Sequence, residues 1–311
     1  MKHLITASAL ALFASAAYAQ DTKVIGVSIP AATHGWAGGM NYWAQAAVDR
    51  LEATYPELDF VLQTAGDPAE QVADIEDMMA TRKLDGLVVL PFESEPLTGP
   101  VKAVRDAGVW VTVFDRGLSE PGIENLLVAG DNPGFGAVSG KYFKDKMPNG
   151  GKIVILRGIP TTIDNERVDN FMAAIEGTGI EVLAAEHGNW NRDDSFEVMS
   201  DYLAKYPEID AVWASDDDMA IGALAAIEAA GRSGMWVLGG AGMQEMIKKV
   251  QANDPVIVAD VTYPPSMMAT AIELTALHFV QGGPTSGKYI IGAELITPEN
   301  AANYIFPDSP F

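Results

Sequence analysis

The chain has 311 residues, of which 48% are hydrophobic and 20% charged, a composition typical of a globular protein with room for two domains. Its formal net charge of −22 argues against binding to nucleic acid or to an anionic membrane surface. It contains no cysteine, so its core must hold without disulfides.

The first nineteen residues have the features of an export signal. Lys2 precedes an apolar stretch at 4–17, and the sequence A-Y-A at 17–19 is typical of a cleavage site. The apolar stretch is short for a membrane span, and a lipid anchor needs a cysteine that the sequence lacks. We therefore predict a signal peptide over residues 1–19, cleaved after about Ala19, and a soluble protein of a bacterial periplasm.

From residue 24 onward, short apolar segments rich in Val and Ile alternate with helical patterns. This alternation is typical of right-handed βαβ units, in which a parallel sheet is covered on both faces. In the first half, strands are predicted at 24–29, 59–63, 86–91 and from 109, with helices at 38–54, 68–82 and 96–107.

The same pattern starts again in the second half, with no linker rich in Pro or Ser between the two series. We therefore predict an α/β fold of two Rossmann-like lobes with parallel sheets, joined by a multi-strand hinge over a cleft. In this half, strands are predicted at 126–129, 152–156, 182–186, 211–214, 236–238 and 256–261, with helices at 132–146, 165–176, 194–205, 219–230, 244–252 and 266–280.

The motifs of common cofactor sites and catalytic centres are missing from the sequence. The loop after the first strand reads P-A-A-T-H-G-W-A-G-G, which does not fit a dinucleotide fingerprint, and neither a phosphate loop nor a G-x-S-x-G elbow occurs. The histidines are not spaced for zinc, and the three acids at 216–218 fit a helix cap at Asp217 or Asp218 better than a calcium loop. We predict no cofactor, no metal and no catalysis.

Two full charges end the apolar segment V-W-V-T-V-F-D-R-G at 109–117. Ligands of open α/β sheets bind outside the carboxyl ends of the strands, which is where Asp115 and Arg116 are expected. A carboxylate acceptor beside a guanidinium group suits a neutral polyhydroxy compound. The alternative is a salt bridge that caps the edge of the sheet.

Polar and aromatic side chains also follow other predicted strands. Trp36 comes after the first strand, with His34 as a polar group at the same rim, and Trp190 lies among polar neighbours after a strand of the second half. Aromatic faces of this kind pack on the C–H surfaces of sugars, although packing between lobes is the alternative for Trp36. Trp110 and Trp213 lie inside apolar strands and are predicted to belong to the core.

Four further candidates lie at predicted ends of strands or starts of helices. Arg167 opens a helix in the segment I-D-N-E-R, where a surface ion pair with Asp164 or Glu166 is the alternative. Asp216 ends the strand A-V-W-A-S, where simple solvation is the alternative. Thr262 and Tyr263 follow the last predicted strand, at an expected crossing between the lobes.

Three landmarks relate the sequence to a known family: the pair Asp115-Arg116, the helix start R-x-x-x-F at Arg167 and Phe171, and D-D-x-M-A-x-G-A-L at 216–224. With these the chain resembles the type I periplasmic solute-binding proteins, in the ribose-binding branch that serves ABC transporters. The resemblance covers nearly the whole chain after the export signal. It implies a first lobe of residues 21–130 and 263–291, and a second lobe of residues 131–262 and 292–311.

The resemblance also implies roles for the candidate residues. Charged side chains from both lobes bind hydroxyls, two tryptophans stack on the sugar ring, and a polar group near the hinge completes the site. The residues that would bind hydroxyls are Asp115, Arg116, Arg167 and Asp216. The stacking residues would be Trp36 and Trp190, and the polar group near the hinge would be Thr262 or Tyr263. In one respect the sequence departs from the family, because Ala241 in G-G-A-G-M stands where an aspartate that binds hydroxyls is usual.

The predicted function is that of the periplasmic solute-binding component of an ABC transporter. We expect a monomer that binds a neutral monosaccharide or sugar alcohol between its lobes and delivers it to a membrane permease. The alternative is a receptor that presents a furanosyl quorum signal or a sugar acid to a transporter or sensor protein. A secreted hydrolase is the enzyme alternative, and a repressor of the same fold needs a helix-turn-helix where this sequence has its export signal.

Overall fold

The structure is a computed structural model that describes residues 22–283, 285–306 and 309–311. The signal peptide predicted over 1–19 lies outside the described residues. No helix in the described part of the chain combines the length and the apolar character that crossing a membrane requires.

Strands and helices alternate along most of the described chain, as the sequence predicts. The strands are β1 (Lys23–Pro30), β2 (Leu58–Ala65), β3 (Gly86–Val89), β4 (Trp110–Phe114), β5 (Leu126–Gly130), β6 (Gly151–Arg157), β7 (Ile180–His187), β8 (Ala211–Ala214), β9 (Trp236–Leu238), β10 (Ile257–Val261), β11 (Gly287–Ile291) and β12 (Leu295–Ile296). The helices are α1 (Gly35–Thr54), α2 (Pro68–Thr81), α3 (Ser94–Asp106), α4 (Asn132–Lys146), α5 (Thr162–Ile175), α6 (Arg192–Lys205), α7 (Asp217–Ala229), α8 (Gln244–Gln251) and α9 (Met267–Gln281).

These strands form two six-stranded sheets, so the predicted α/β class with parallel sheets is confirmed. The first sheet has the order β11-β5-β4-β3-β1-β2, and every neighbouring pair is parallel. The second has the order β12-β10-β9-β8-β6-β7, in which only the pair of β10 and β12 is antiparallel. In both sheets the central strands are buried, which is why they read as continuous apolar runs in the sequence.

The chain passes between the two sheets at three places in the described residues. The crossings lie between β5 and α4, between β10 and α9, and between β11 and β12. They are tied to one another, because the Asp131 N–H donates to the carbonyl of Ile291 at 2.9 Å and the Thr262 N–H to that of Glu294 at 2.9 Å. The two sheets are therefore joined by three neighbouring connections.

The core contains the aromatic residues expected of it, with one difference. Trp213 is fully buried and stacks on Phe171, with 4.0 Å between the ring centroids. Trp110, which was also predicted to belong to the core, is only half-buried and stacks on His278 at 3.6 Å. Trp110 is the first residue of its strand, so its ring lies at the amino end of the sheet rather than inside it.

Candidate functional site

A cavity of about 450 Å³ lies between the two sheets, at the carboxyl ends of their strands. Residues that follow β1, β3 and β4 line it on the side of the first sheet, and residues that follow β6 to β10 line it on the side of the second. This is the place where ligands of open α/β sheets bind. The structure brings eight of the nine predicted site residues to its wall: His34, Trp36, Asp115, Arg116, Arg167, Trp190, Asp216 and Tyr263.

The ninth, Thr262, does not line the cavity. Its side-chain oxygen accepts a hydrogen bond from the Glu294 N–H at 2.9 Å, so it joins two of the crossings between the sheets. The reason is the alternation of side chains in extended backbone, which turns Tyr263 toward the cavity and Thr262 away from it. Of these two neighbours, only Tyr263 lies at the cavity wall.

Asp115 is placed by an unusual backbone conformation at the end of β4. Its φ angle is +59°, in the left-handed region that aspartate tolerates better than most residues. The hydroxyl of Tyr263 donates to its Oδ1, which joins the end of β4 to a crossing segment. Its carboxylate is half-buried at the cavity wall and retains acceptor capacity for a ligand.

Arg116 does not pair with Asp115, so the salt bridge considered as an alternative for these two residues is not formed. Its Nη1 donates to the carbonyl of Pro91 at 3.2 Å and to that of Phe92. The Nε of Arg116 is buried and has no partner in the described residues.

Arg167 is buried rather than paired at the surface. Its guanidinium lies 4.2 Å from the ring centroid of Phe135 and 4.4 Å from that of Tyr263, an arrangement that stabilises a cation. Its Nε donates to Asn132 Oδ1 at 2.9 Å and its Nη1 to the carbonyl of Ser215 at 2.6 Å. These two bonds fix the plane of the guanidinium.

The first two of the three consecutive acids at 216–218 form different hydrogen bonds. The side chain of Asp216 caps helix α7, because it accepts a hydrogen bond from the Met219 N–H at 3.2 Å. The prediction that Asp217 or Asp218 is the cap is therefore wrong. Asp217 accepts hydrogen bonds from loop N–H groups instead, those of Gly240 at 2.9 Å and Met243 at 2.7 Å. The cap belongs to Asp216 because that residue has extended backbone immediately before the helix.

Burial controls the ionisation of two groups at the cavity. Burial raises the pKa of Asp216 to about 7, and the nearby charge of Asp218 adds to the effect. Burial likewise lowers the pKa of His34, although the carboxylate of Asp218 opposes this shift. His34 is therefore predominantly neutral at pH 7, and Asp216 exchanges a proton near that pH.

The two tryptophans differ in how they are held. Trp36 lies parallel to the buried ring of Phe114, with 6.3 Å between centroids, and its Nε1 donates to the carbonyl of Tyr263 at 2.8 Å. Trp190 adopts a left-handed backbone with φ of +53°, and its ring packs against Gly158, where a Cβ would lie 2.0 Å from Nε1. The Nε1 of Trp190 is buried without a partner.

Several lining residues were missed by the sequence analysis. They belong to two rim loops, at 92–94 after β3 and at 159–162 after β6. Phe92 and Ile159 carry apolar surface, and Thr161 has a buried Oγ1 without a partner. Their position directly after predicted strands was the one signal that pointed to them, because their residue types carry no distinctive chemistry.

The donors and acceptors at the cavity wall are balanced. Two carboxyl groups, Asp115 and Asp216, face it together with two guanidinium groups, and no ion pair joins these four among the described residues. His34, Arg116, Thr161 and Trp190, which also line the cavity, each carry a buried polar atom without a hydrogen-bond partner among the described residues. Within the same residues, no group of three or more His, Asp or Glu side chains is arranged to hold a metal ion. The arrangement can bind an uncharged compound with many hydroxyls.

Comparison with known proteins adds three findings. Residues 25–283 match the family model described as a periplasmic binding protein domain. The ribose import binding protein RbsB of Escherichia coli (strain K12) is 28% identical over 298 residues, which cover 95% of this chain and 97% of that protein. A xylitol-binding protein of Mycolicibacterium smegmatis is 28% identical over 244 residues, covering 75% of this chain and 66% of the relative.

Among solved structures, an ABC transporter solute-binding protein from Bacillus halodurans C-125 with bound myo-inositol superposes on this chain with a TM-score of 0.82. The two sequences are 26% identical, and the match covers 92% of this chain and 98% of the other. A galactofuranose-binding protein gives a TM-score of 0.81 at 20% identity and shares the fold.

Proposed function

The chain belongs to the periplasmic binding protein family, as its landmarks predicted, and on that premise we propose that it is the solute-binding component of an ABC transporter. Its ligand is a neutral monosaccharide or sugar alcohol, held in the cavity between the two sheets. The observation that carries this proposal is the set of carboxyl and guanidinium groups that line one cavity from both sides without forming ion pairs with one another, together with two tryptophan rings. Relatives named for ribose, xylitol and myo-inositol support the same class of ligand.

The balance of charge favours a neutral ligand over a sugar acid. Both arginines already donate to protein oxygens, Arg116 to two carbonyls and Arg167 to an amide and a carbonyl. Asp115 lies on the same wall without a bridging cation, so it repels a carboxylate ligand. A furanosyl signal or a sugar acid presented to a sensor is therefore the less favoured alternative, and binding rather than turnover is the expected activity.

The proposal includes the lobes implied by the resemblance, with boundaries at 130/131, 262/263 and 291/292. Closure of the lobes buries the ligand, and the closed monomer then docks on a membrane permease. Export to the periplasm by the segment 1–19 belongs to the same proposal. Cell fractionation tests it, because the mature protein is expected in the periplasmic fraction with Gln20 as its first residue.

A thermal-shift panel of ribose, allose, xylitol, myo-inositol, gluconate and galacturonate tests the class of ligand. A neutral compound at about 100 times its Kd is expected to stabilise the folded protein by about 2.7 kcal/mol, whereas the two acids are expected to have no effect. Stabilisation by an acid alone contradicts the proposal.

Calorimetry with the compound that stabilises most then tests the site. Asp115→Ala removes a carboxylate from the cavity wall and is expected to abolish measurable binding without loss of the fold. Asp67→Ala is the matched control, because Asp67 caps α2 by accepting from the Glu70 N–H at 2.8 Å, away from the cavity. Equal affinity of the two variants contradicts the assigned site.

A further inference from the structure

The carboxylate of Asp218 connects the two sides of the cleft without lining the cavity. It lies in the first turn of α7, on the side of the second sheet, and its side chain is 4% exposed. Its Oδ2 accepts a hydrogen bond from the N–H of Gly35, the first residue of α1 on the side of the first sheet, at 2.9 Å. Its Oδ1 accepts from Arg192 Nε, at the start of α6, at 2.6 Å.

We propose that Asp218 is a positioning residue for ligand binding, which holds the cavity residues at the start of α1 in place and stabilises the closed arrangement of the two sides. This inference rests on the proposed function. We refer to the hydrogen bonds from Gly35 and Arg192 to Asp218 as the Asp218 bridge.

Helix α1 lacks a cap of its own. Its N-cap residue, His34, makes no capping hydrogen bond, and the first turn of the helix contains no acidic residue. The N-terminus of a helix carries unpaired N–H groups and a partial positive charge, so it favours a carboxylate. Asp218 supplies that carboxylate from across the cleft, and the bond exists only while the two sides are together.

Gly35 is the residue that allows this contact. A Cβ at this position would lie 2.7 Å from Asp218 Oδ2 and 3.0 Å from Met243 Cε. Both of these atoms belong to the side of the second sheet. A side chain at position 35 therefore forces either the start of α1 or the ends of the Asp218 and Met243 side chains to shift, and either shift distorts the hydrogen bond from the residue-35 N–H.

The bridge acts on the ligand through its neighbours in sequence. His34 and Trp36 flank Gly35 and line the cavity, whereas neither Gly35 nor Asp218 lines it. Opening of the cleft breaks the bond from Gly35 and leaves the carboxylate of Asp218 with Arg192, whose side chain is half exposed. Because the bridge stabilises the closed state alone, it raises the apparent affinity by increasing the population competent to retain ligand.

The test uses Asp218→Ala and Asp218→Asn in the full-length protein. Small-angle scattering of the ligand-free protein is expected to give a larger radius of gyration for Asp218→Ala than for the wild type. The dissociation rate of the ligand found in the panel is expected to rise about tenfold, which is the effect of losing one hydrogen bond to a charged group, with little change in the association rate. Asp218→Asn keeps an acceptor oxygen for Gly35 and is expected to restore part of both quantities.

Asp85→Ala is the matched control. Asp85 also accepts hydrogen bonds from a cation and from a backbone N–H, namely the Lys23 ammonium group and the Val24 N–H, at 3.0 Å each. Both partners belong to the first sheet and lie away from the cavity. This variant is expected to keep the wild-type radius of gyration and dissociation rate. The same values in Asp218→Ala overturn the proposal.

A second variant covers the case in which Asp218→Ala does not fold. Gly35→Ala keeps every charged group of the Asp218 bridge and places a Cβ against Asp218 Oδ2, so the hydrogen bond across the cleft is weakened and the radius of gyration and the dissociation rate are expected to increase in the same direction. A wild-type radius of gyration in Gly35→Ala overturns the proposal. The scattering experiment needs no ligand, so it tests the Asp218 bridge even if no sugar in the panel binds. Failure of every sugar to bind would count against the proposed function and not against the bridge.

Discussion

Ala241 is held in a backbone conformation that residues with a side chain rarely adopt. Its φ angle is +114°, and it is buried at the cavity wall. The surroundings enforce this conformation, because its N–H donates to the carbonyl of Val261 at 2.8 Å and its own carbonyl accepts from the Tyr263 N–H at 3.3 Å. Strain of this kind persists where neighbouring contacts determine the backbone, which is common at binding sites.

Replacing Ala241 by glycine is expected to stabilise the protein. Glycine adopts this φ without strain, so Ala241→Gly is expected to raise the free energy of unfolding by about 1 kcal/mol in urea titrations. Ala226→Gly is the control, because Ala226 lies buried inside α7, where the same change lowers the free energy of unfolding by about 1 kcal/mol. Destabilisation by Ala241→Gly contradicts the account of strain.

At the scale of elements, the position of Arg167 depends on two glycines. Helices α4 and α5 pack so closely that a Cβ at Gly136 would lie 2.0 Å from the carbonyl oxygen of Arg167. At Gly140 it would lie 2.6 Å from the Cβ of Ala174. The close approach brings Arg167 to the cavity and its side chain within reach of Asn132 on α4.

Gly136→Ala is expected to force the two helices apart. The clash is with backbone, which cannot move aside as a flexible side chain does, so we expect a loss of about 1–3 kcal/mol in the free energy of unfolding. Ligand affinity is expected to fall as well, because α5 carries Arg167. Both quantities are measured by urea titration and by calorimetry.

Gly38→Ala is the control for this prediction. Gly38 lies in α1, and no atom lies within 4 Å of a Cβ added there. Alanine has the higher helix propensity, so this variant is expected to be more stable than the wild type by about 0.5–1 kcal/mol. If both alanine variants are stabilised, the helices are not packed as closely as described.

The helices and strands up to α9 could be predicted because their hydrophobic periodicity is strong, and their ends differ from the structure by at most three residues. The strands β11 and β12 were missed. The residues of β11 are almost all exposed, so the strand has no apolar pattern, and it exists because it pairs with β5, distant in sequence. Long-range pairing of this kind cannot be read from local sequence.

The sequence predicts most of the residues that line the candidate site, but not the hydrogen bonds and packing contacts that they form. The ends of parallel strands converge on one edge, so residues such as Asp115 and Trp190 could be assigned from their place after a strand. That Arg167 lies between two aromatic rings, or that Asp218 reaches Gly35, depends on how the two sheets face each other. Those contacts are set by tertiary packing.

At the scale of the whole molecule, a buried pair of acids lies beside the crossings between the sheets. Asp260 is fully buried in β10, its Oδ2 has no hydrogen-bond partner among the described residues, and its charge acts on the equally buried Asp217. Two neighbouring buried carboxyl groups ionise together only with difficulty, because burial and like charge both oppose the second charge. Burial raises the pKa of Asp260 to about 7, and burial together with the charge of Asp260 raises that of Asp217.

The pair makes the stability of the protein depend on pH. Because the pKa of Asp260 is higher in the folded state than in the unfolded chain, the folded state retains the proton more tightly. Its contribution is fully present below the unfolded pKa of about 4 and is lost as pH rises through about 7, a change of a few kcal/mol at most. The free energy of unfolding, measured in urea at pH 5 and pH 8, is therefore expected to be lower at pH 8.

Asp260→Asn tests the origin of this pH dependence. The amide carries no charge at any pH, so the difference between pH 5 and pH 8 is expected to shrink, and the raised pKa of Asp216 preserves part of it. Asp67→Asn, at an exposed helix cap, is expected to keep the wild-type difference. If the free energy of unfolding of Asp260→Asn depends on pH as that of the wild type does, Asp260 is not the origin of the pH dependence.

The pairing of β11 with β5 has a further consequence for how the chain reaches this structure. Five strands of the second sheet come from one continuous stretch, from β6 to β10, whereas the first sheet needs both its amino-terminal strands and β11 near the carboxyl end. Contacts that join distant parts of a chain form slowly, since a large loop must close first. We therefore expect the second sheet to assemble early in folding and the first sheet to be completed only when the full chain is present. The amino-terminal third of the protein is accordingly expected not to fold when it is expressed alone.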